Sequence, residues 1–372
     1  MSNAEVFPMV DVEGSPYHRG VQHGRAVPER VERSIALYRK QMINRGIDER
    51  TLMELARGME LVIQKFDEEY LDEMRGIAEG ARVRLEEVIL INCRTEMMFG
   101  YADLKNTAAA EKMDGADGDC TGIVVLPELA AEGRLMHAHN WDWREECVDS
   151  GIVLRIRREN GPDILTFTEA GALARHGLNA NGVSITGNSL SCTDDFRKAG
   201  DAPLVLVRRR LLECTNLSQA MKALLSTRRY CANNMTLAQA GGWAINMECA
   251  PENVYPLAPV NDLLVHANHW LCPVARMKLK DPRMEERTDS LYRQYRVEAA
   301  LRRAGPGITW DHIKDALADD FGKPDSVLRW PKPASFDSIS ATVATTLMDP
   351  AEGKMWIARM PYAGRHFHEY SL

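Results

Sequence analysis

The stretch DGDCTGIVVLPELAAEGRLMHAHNWDW, residues 117–143, decides how the rest of the chain is organised. TGIVVL is a short β-branched run typical of a buried strand, and RLMHAHNWDW returns as a second strand after the polar turn PELAAEG. The preceding segment, residues 102–119, is rich in Ala, Gly, Asp and Lys without apolar periodicity, which predicts an exposed, flexible loop. The sequence therefore predicts that Cys120 lies where an exposed loop becomes a core strand.

A cysteine in this position has two interpretations. If the peptide bond before Cys120 were cut, a thiol and a free α-amino group would belong to the same residue. The thiolate is the nucleophilic form of cysteine, whose pKa is about 8.5, and an α-amino group with a pKa of about 7.7–8.0 could accept the thiol proton. An N-terminal amine activates a threonine hydroxyl by the same logic. The alternative is that Cys120 is a small apolar residue packed inside a strand.

The composition argues against several classes of partner. The chain has 372 residues, and an apolar fraction of 45% is enough for a large core within one domain. Lys and Arg number 46 against 53 Asp and Glu, and the net charge of −7 argues against a nucleic-acid or anionic-membrane partner. The basic run Arg208 to Arg210 lies in a helical pattern and is expected on a solvated helix face.

The cysteines and the hydropathy bear on the compartment. Eight cysteines are scattered without a CxxC pair, which indicates reduced cytoplasmic thiols instead of a disulfide framework. An N-terminal hydrophobic region and a run of about 18 apolar residues are both lacking, so neither export nor membrane insertion is predicted. Nothing in the sequence signals a phosphate cradle for coenzyme A, and no cofactor is expected.

Helices are predicted before Cys120. Apolar residues recur at helical spacing over residues 28–42 and 50–81. Residues 85–98 are expected to form another helix or a strand–helix unit, in which Arg94 and Glu96 make a buried structural pair.

Strands and turns dominate after Cys120. Residues 233–248 show a marked hairpin pattern with Gly-Gly at its turn, and residues 286–305 show a helix with a Thr/Asp start and a glycine stop. The polar segment 191–203 is expected to form a loop over the site. His18 and His23, near the N-terminus, are expected on a helix surface.

Four motifs in this chain resemble one enzyme family. They are CTG at the head of a strand, NWDW, HANH at residues 266–269, and the C-terminal hairpin ISATVATTLMDPAEGKMWIARMPYAGRHFHEYSL. Together they resemble the penicillin (isopenicillin N) acyltransferase-like family, peptidase family C45, of the N-terminal-nucleophile (Ntn) hydrolases, and more distantly the bile salt hydrolases and acid ceramidases. The resemblance implies an α+β fold, a four-layer αββα sandwich of two antiparallel sheets flanked by helices.

The resemblance covers nearly the whole chain, so a single domain over residues 1–372 is expected. Within it, residues 1–119 would form a helical N-terminal segment. Residues 120–372 would form a second piece that starts at the nucleophile once the chain is cut.

The resemblance also implies catalytic roles. Autoproteolysis between Asp119 and Cys120 would release Cys120 as the nucleophile, although Asp119 stands where the acyltransferases commonly have glycine. Asp142 is expected to hold the charged α-amino group. The side-chain amide of Asn268 and the backbone N–H of Asn188 are expected to stabilise the oxyanion. The alternative for Asn188 is a turn residue at a strand end.

Further residues are expected to support the site. Asn140 is the first member of the family's Asn-x-Asp pair, and His139 stands near where bile salt hydrolases have an arginine, so their substrate preference is not carried over. Arg293, in DSLYR, is the candidate arginine near the pocket, the alternative being an ion pair on a helix surface. Arg94 and Glu96 match an Arg-Thr-Glu-like element of the family, and a structural role is expected for both, with a catalytic role as the less favoured alternative.

The expected activity is hydrolysis of a small-molecule N-acyl amide through a thioester on Cys120. One alternative is an acyl-CoA-dependent N-acyltransferase with the same nucleophile. A second is an uncut, non-catalytic family member, for which Asp119 is the best support.

A third alternative is a metallohydrolase whose ligands would be His137, His139, His266 and His269. It is disfavoured, and no metal is expected, because zinc needs three or four converging ligands and neither HExxH nor a cysteine pair is present. Sandwiches of this kind often pair, so a homo-oligomer is a further expectation.

Overall fold

Two β-sheets lie at the centre of the structure, a computed structural model that describes residues 6–105, 118–335 and 337–372, with the backbone alone for residues 101–105. The strands are β1 (Met9–Val12), β2 (Asp119–Val125), β3 (Met136–Arg144), β4 (Gly151–Ile156), β5 (Ile164–Glu169), β6 (His176–Asn179), β7 (Val183–Ser189), β8 (Asn233–Gln239), β9 (Trp243–Cys249), β10 (Val254–Leu257), β11 (Leu263–His266), β12 (Lys332–Ala334), β13 (Ser338–Asp349), β14 (Lys354–Arg359) and β15 (Phe367–Ser371).

The helices are α1 (Pro16–Ala26), α2 (Pro28–Asn44), α3 (Glu49–Phe66), α4 (Glu68–Ala81), α5 (Leu85–Asn92), α6 (Arg94–Lys105), α7 (Leu204–Leu212), α8 (Leu217–Ser226), α9 (Pro273–Lys278), α10 (Asp289–Ala304) and α11 (Trp310–Leu317). No helix in the described ranges is both long and apolar enough to cross a membrane.

The strands form one sheet of eight and one of seven. The first sheet has the order β1-β4-β5-β6-β7-β8-β9-β10, and the second has β11-β2-β3-β13-β14-β15, with β12 paired to β13. Neighbouring strands run antiparallel throughout the described sheets except at one edge, where β1 pairs with β4 in parallel. The predicted pair of antiparallel sheets is therefore confirmed except at that edge.

Helices cover the outer face of each sheet. On the second sheet, Ile123 of β2 and Ala138 of β3 belong to one apolar cluster with Val297 of α10 and Ile313 of α11. On the first sheet, residues of β4 and β5 share an apolar cluster with α2, α3, α4 and α5. Because each face that would otherwise meet water packs against helices, the predicted αββα layering is confirmed.

The contact between the two sheets is partly polar. His137 lies 2.8 Å from Ser184 Oγ and 2.9 Å from Thr186 Oγ1, so both ring nitrogens of this β3 residue have partners on β7. His176 Nε2 lies 2.9 Å from Thr346 Oγ1 on the opposite sheet. Burial lowers the pKa of His137 to about 3, so this ring is neutral at pH 7.

The N-terminal helices follow the predicted periodicity with one interruption. The helical pattern of residues 50–81 breaks at Asp67, whose carboxylate accepts a hydrogen bond from the Glu69 N–H and caps α4. Residues 85–98 form helices α5 and α6 and no strand.

The predicted loop over residues 102–119 is only partly reproduced. The helix α6 continues to Lys105, and residues 106–117 lie outside the described part of the chain. At the other end of the segment, Asp119 is 2% exposed and belongs to β2, so its assignment to an exposed loop was wrong.

Helices α1 and α4 pack backbone against backbone. A β carbon added at Gly20 would lie 2.0 Å from Glu73 O, and one at Gly24 would lie 2.4 Å from Ile77 O, so only glycine fits at this contact. His23, predicted on a helix surface, is instead buried, and its Nε2 accepts a hydrogen bond from Gly171 N–H at 3.0 Å. His18 is exposed, as expected.

The basic run on α7 does not form a solvated face. Arg209 is fully buried, and its Nη2 lies 2.9 Å from Glu73 Oε2. Arg208 is also buried, and only Arg210 is partly exposed. The prediction failed because Glu73, which pairs with Arg209, comes from the distant helix α4.

Candidate active site

Cys120 lies near the start of β2, between β11 and β3, and opens onto a cavity of about 580 Å³. The residue is 5% exposed, so only a small part of it reaches solvent. Aromatic residues form part of the cavity wall, namely Phe99, Trp141, Trp143 and Phe196. The predicted loop of residues 191–203 also contributes lining residues, among them Ser191, Thr193 and Arg197.

The electrostatic surroundings keep the Cys120 thiol protonated. Burial, together with the negative charge of Asp142, raises its pKa to about 12, although Arg175 and Arg208 act in the opposite direction. A thiol with this pKa is not nucleophilic at pH 7 without a base. The neighbouring His139 is occupied elsewhere, because its Nε2 lies 3.1 Å from Gly187 O.

The backbone of Cys120 is held on both sides. Its N–H donates to Asn268 Oδ1 at 2.9 Å, and its carbonyl oxygen accepts from Arg293 Nη1 at 3.0 Å. The same arginine donates to Asn268 Oδ1 at 3.0 Å and to Thr121 Oγ1 at 2.9 Å. Arg293 also pairs with Asp289, but it is fully buried, so the alternative of an ion pair on a helix surface was wrong.

Asn268 therefore lies beside Cys120, with contacts that the sequence did not predict. In the intact chain its Nδ2 donates to Ser189 O at 3.0 Å, while its oxygen accepts from the Cys120 N–H. The expected role as oxyanion donor stays a prediction, and contact with the Cys120 nitrogen is an additional role.

Two buried carboxylates lie on the opposite face of β2 and β3. Asp119 and Asp142 are directly paired across the two strands. Asp119 Oδ2 lies 2.6 Å from Arg329 Nη2, and its Oδ1 lies 3.7 Å from Arg287 Nε and 3.8 Å from Arg293 Nη2. Burial alone would raise the pKa of Asp119, but these guanidinium groups outweigh burial and hold it well below its usual range.

Asp142 has the opposite electrostatic balance. Burial raises its pKa to about 6, and Arg329 and Arg293 only partly oppose the shift. Its Oδ1 accepts a hydrogen bond of 2.6 Å from Thr342 Oγ1, whereas its Oδ2 has no hydrogen-bond partner among the described residues. This buried carboxylate oxygen is therefore able to accept a hydrogen bond from a further donor.

Asn188 and Asn140 occupy different positions relative to the cavity. Asn188 lies in β7 and donates from Nδ2 to His266 O at 3.1 Å, while its neighbours Gly187 and Ser189 line the cavity. Asn140 faces α11 and donates to Leu317 O at 2.8 Å, which ties the strand to the helix layer.

Arg94 and Glu96 are both buried, as predicted, but each has a different partner, so the prediction that they pair with each other was wrong. Arg94 Nη2 lies 2.9 Å from Glu169 Oε2. Glu96 Oε1 accepts from the Leu204 N–H at 2.8 Å, at the first residue of α7. Both residues connect α6 to distant elements, and the sequence could not show which ones. Arg94 also lines the cavity.

The histidines of the metallohydrolase alternative do not form one site. His137 and His139 contact β7, His266 Nε2 lies 2.9 Å from Glu248 Oε1, and His269 Nδ1 lies 2.8 Å from Ser290 Oγ. Across the described residues, no group of three or more His, Cys, Asp or Glu side chains could hold a metal ion. The geometry therefore gives that alternative no support.

The comparisons with known proteins agree on one family. The family model described as "Acyl-coenzyme A:6-aminopenicillanic acid acyl-transferase" matches residues 129–360, a match that begins after Cys120. The acyl-coenzyme A:6-aminopenicillanic-acid-acyltransferase 40 kDa form of Emericella nidulans is 28% identical over 266 residues, which cover 70% of this chain and 69% of that protein. An uncharacterized protein of Archaeoglobus fulgidus is 21% identical over 303 residues, 71% of this chain but only 50% of that protein.

A solved structure supports the same fold. A single-residue variant of conjugated bile acid hydrolase from Clostridium perfringens aligns with a TM-score of 0.50 at 11% identity, covering 68% of this chain and 92% of that one. The chain therefore belongs to the acyl-coenzyme A:6-aminopenicillanic acid acyltransferase family and has the Ntn-hydrolase fold.

Proposed function

We propose that this chain is an N-terminal cysteine amidohydrolase that matures by breaking its own Asp119–Cys120 bond and then cleaves a small N-acyl amide. One observation carries the proposal. Cys120 opens onto a cavity of about 580 Å³ from the head of β2, while the pKa of its thiol is raised to about 12. Such a thiol needs a base at its side, and an α-amino group on the same residue would be one.

Maturation requires an N-to-S acyl shift followed by hydrolysis. Cys120 Sγ adds to the carbonyl carbon of Asp119, the C–N bond breaks, and the thiol proton ends on the Cys120 nitrogen. Water then hydrolyses the thioester, which leaves a new carboxylate on Asp119 and restores the thiol beside a free amine. Arg293 and Asn268 hold the backbone oxygen and nitrogen of Cys120, so they would fix the reacting residue during both steps.

Turnover uses the same atoms with the substrate amide. The α-amine accepts the thiol proton, the thiolate adds to the substrate carbonyl, and the proton passes to the departing nitrogen. The amine product leaves, and water hydrolyses the acyl thioester to a carboxylic acid, so one water is consumed per amide. In this proposal Asp142 holds the charged amine, while Asn268 and the Asn188 N–H stabilise the oxyanion, each donor contributing roughly 2.7–4 kcal/mol.

An acyl-CoA-dependent acyltransferase is the second candidate, and the name of the matched family favours it. The acyl-enzyme is the same in both reactions, and they differ in whether water or an amine accepts the acyl group. Supplying acyl-CoA with a rising concentration of amine separates them. New amide in proportion to the amine indicates the transferase, whereas free acid at every amine concentration indicates the hydrolase.

Intact-mass measurement tests maturation. We expect two fragments, residues 1–119 and 120–372, and loss of both cutting and amide turnover in Cys120→Ala. The matched control is Cys249→Ala, because Cys249 is buried in β9 and does not line the cavity. A full-length mass that persists after long incubation would favour the uncut, non-catalytic alternative. Amidase activity retained in Cys120→Ala would exclude the proposed nucleophile.

A further inference from the structure

The cavity at Cys120 is basic although the chain as a whole is acidic. Its described lining includes five arginines and two acidic residues, whereas the complete chain has a net charge of −7. The basic residues are Arg94, Arg175, Arg197, Arg208 and Arg283, and the acidic ones are Asp195 and Glu286. A concave site lined by one sign of charge attracts ligands of the opposite sign.

Two of these arginines share one buried carboxylate, that of Glu169. Arg94 Nη2 lies 2.9 Å and Arg175 Nη2 lies 3.3 Å from Glu169 Oε2. Arg175 is further fixed over the ring of Trp141, with its guanidinium carbon 3.7 Å from the ring centroid. These two arginines therefore form a rigid, partly neutralised wall.

Arg208 differs because no group in the described part of the chain compensates its charge. It is 6% exposed, and within the described residues it has neither an ion pair nor a hydrogen bond, with its Nε buried and unpartnered. Burial lowers its pKa to about 9, which still leaves the guanidinium charged at pH 7. A buried charge without a partner is strongly unfavourable, so a role that needs the charge is expected.

The geometry directs this charge toward the reacting residue. Arg208 lies on the face of α7 that lines the cavity, together with Leu204 and Val205. A β carbon added at Gly187 would lie 2.7 Å from Arg208 Nη2, so the absence of a side chain there leaves room for the guanidinium. Arg208 is also close enough to Cys120 to oppose the rise of its thiol pKa.

We propose that Arg208 binds a carboxylate of the substrate, so that the enzyme acts on amides that carry a negative charge near the bond that breaks. This inference rests on the proposed function, since it names the substrate class of that same site. A guanidinium donates two parallel hydrogen bonds to a carboxylate, and the aromatic part of the wall suits an apolar group on the same molecule. Two chemical sources fit: an N-acyl amino acid, with the carboxylate on the amine side, and a monoamide of a dicarboxylic acid, with it on the acyl side.

Matched substrates test the proposal and identify the side. N-hexanoylglycine is compared with its neutral analogue N-hexanoylglycinamide, and the mono-N-propylamide of glutaric acid with N-propylglutaramide. One pair carries its carboxylate on the side of the amide that Arg208 contacts. For that pair, we expect Arg208→Gln to raise KM for the anionic member roughly 10- to 100-fold and to change KM for the neutral member by less than about threefold. Arg208→Lys keeps the charge but loses the paired donors, so its KM for the anionic member should lie between those of the wild type and Arg208→Gln.

The control is Arg210→Gln, because Arg210 lies two residues along α7 and outside the cavity lining. This substitution should leave KM for both members of each pair unchanged. Equal losses for anionic and neutral substrates in Arg208→Gln would overturn the proposal, because Arg208 would then act on the thiol or the fold. A wild-type enzyme without preference for either anionic member would overturn it too.

A binding measurement separates this inference from the proposed function. Calorimetry on Cys120→Ala needs no turnover, and the same anionic and neutral probes serve as ligands. Tighter binding of an anionic probe, lost in Cys120→Ala/Arg208→Gln, would support the carboxylate site even if wild-type protein proved uncut and inactive. Equal binding of anionic and neutral probes would overturn it even if the amidase were active. Thermal unfolding of both proteins checks that the second substitution leaves the fold intact.

Discussion

Replacing Asp119 by asparagine measures how strongly the buried arginine cluster depends on one carboxylate. Asp119 Oδ2 lies 2.6 Å from Arg329 Nη2, while Arg287 and Arg293 lie 3.7 and 3.8 Å from Oδ1. Asparagine has nearly the same size, so the substitution removes the charge and keeps the packing. We place it in the Cys120→Ala background, because an uncut chain unfolds as a single molecule.

The expected loss follows from burial. Removing one partner of a buried ion pair destabilises a protein by about 3–5 kcal/mol, because the other charge stays buried without compensation. For two reasons, the loss of stability is expected near the lower end of this range. Asp289 Oδ2 also lies 2.7 Å from both Arg293 and Arg329, and Asp142 would ionise more readily without its negatively charged neighbour. We therefore expect a loss of about 3 kcal/mol at pH 7.

Urea unfolding of the two proteins measures this loss directly, and its pH dependence provides a second check. The folded-state pKa of Asp119 is lowered, so its stabilisation is present above the unfolded pKa of about 4 and is lost as the pH falls toward the folded value. The difference between the proteins should therefore shrink below about pH 4.

The matched control is Asp11→Asn. Asp11 also pairs with two arginines, Arg155 and Arg157, but it is partly exposed and should contribute only about 0.2–1 kcal/mol. A loss at Asp119 no larger than the loss at Asp11, or one that grows as the pH falls, would refute the reasoning.

Three other predictions concern neighbouring features. In the Cys120→Ala background, Asp142→Asn should become more stable relative to its parent by about 2 kcal/mol between pH 4 and pH 7. The folded pKa of the Asp142 carboxyl is raised from 3.8 to about 6, so most of the stabilisation that it provides at low pH is lost over that range. Urea unfolding at both pH values measures the change. Gly20→Ala should lower the free energy of unfolding by about 3 kcal/mol or more, because its β carbon would lie 2.0 Å from a carbonyl oxygen of α4. Gly58→Ala, at an exposed position of α3, should instead raise the free energy of unfolding by about 0.5–1 kcal/mol. Equal effects at the two sites would contradict the close packing of α1 on α4. Arg293→Lys should slow the appearance of the cut fragments by roughly tenfold or more, because lysine cannot reproduce the bonds to Cys120 O and Asn268, and an unchanged rate by mass spectrometry would count against the clamp.

The sequence predicted the layers well because they depend on local pattern. The β-branched run after Cys120 and the polar turn that follows it were sufficient to predict the β2–β3 hairpin. The apolar spacing before Cys120 predicted the helices, and a single capping residue, Asp67, explains where the long helical pattern divides.

The charged contacts of the candidate site could not be predicted in the same way. Arg94 pairs with Glu169 and Arg209 with Glu73, partners more than 70 residues away that only the topology brings together. Arg208 looked like part of a solvated face because adjacent arginines usually remain exposed. Asp119 was assigned to a loop on composition alone, although its strand pairing with Asp142 places it in the core.

Strand alternation gives β2 and β3 two chemically different faces. Successive side chains on a strand point to opposite sides, so Cys120 and its partner Trp141 face the cavity, whereas Asp119 and Asp142 face the buried arginines beside α10. The substrate cavity and the charges around the Asp119–Cys120 bond are consequently separated by the thickness of one sheet. We therefore expect substitution of the arginines that contact Asp119 to alter cutting and stability, and substitution of Arg208 in the cavity wall to alter the choice of substrate.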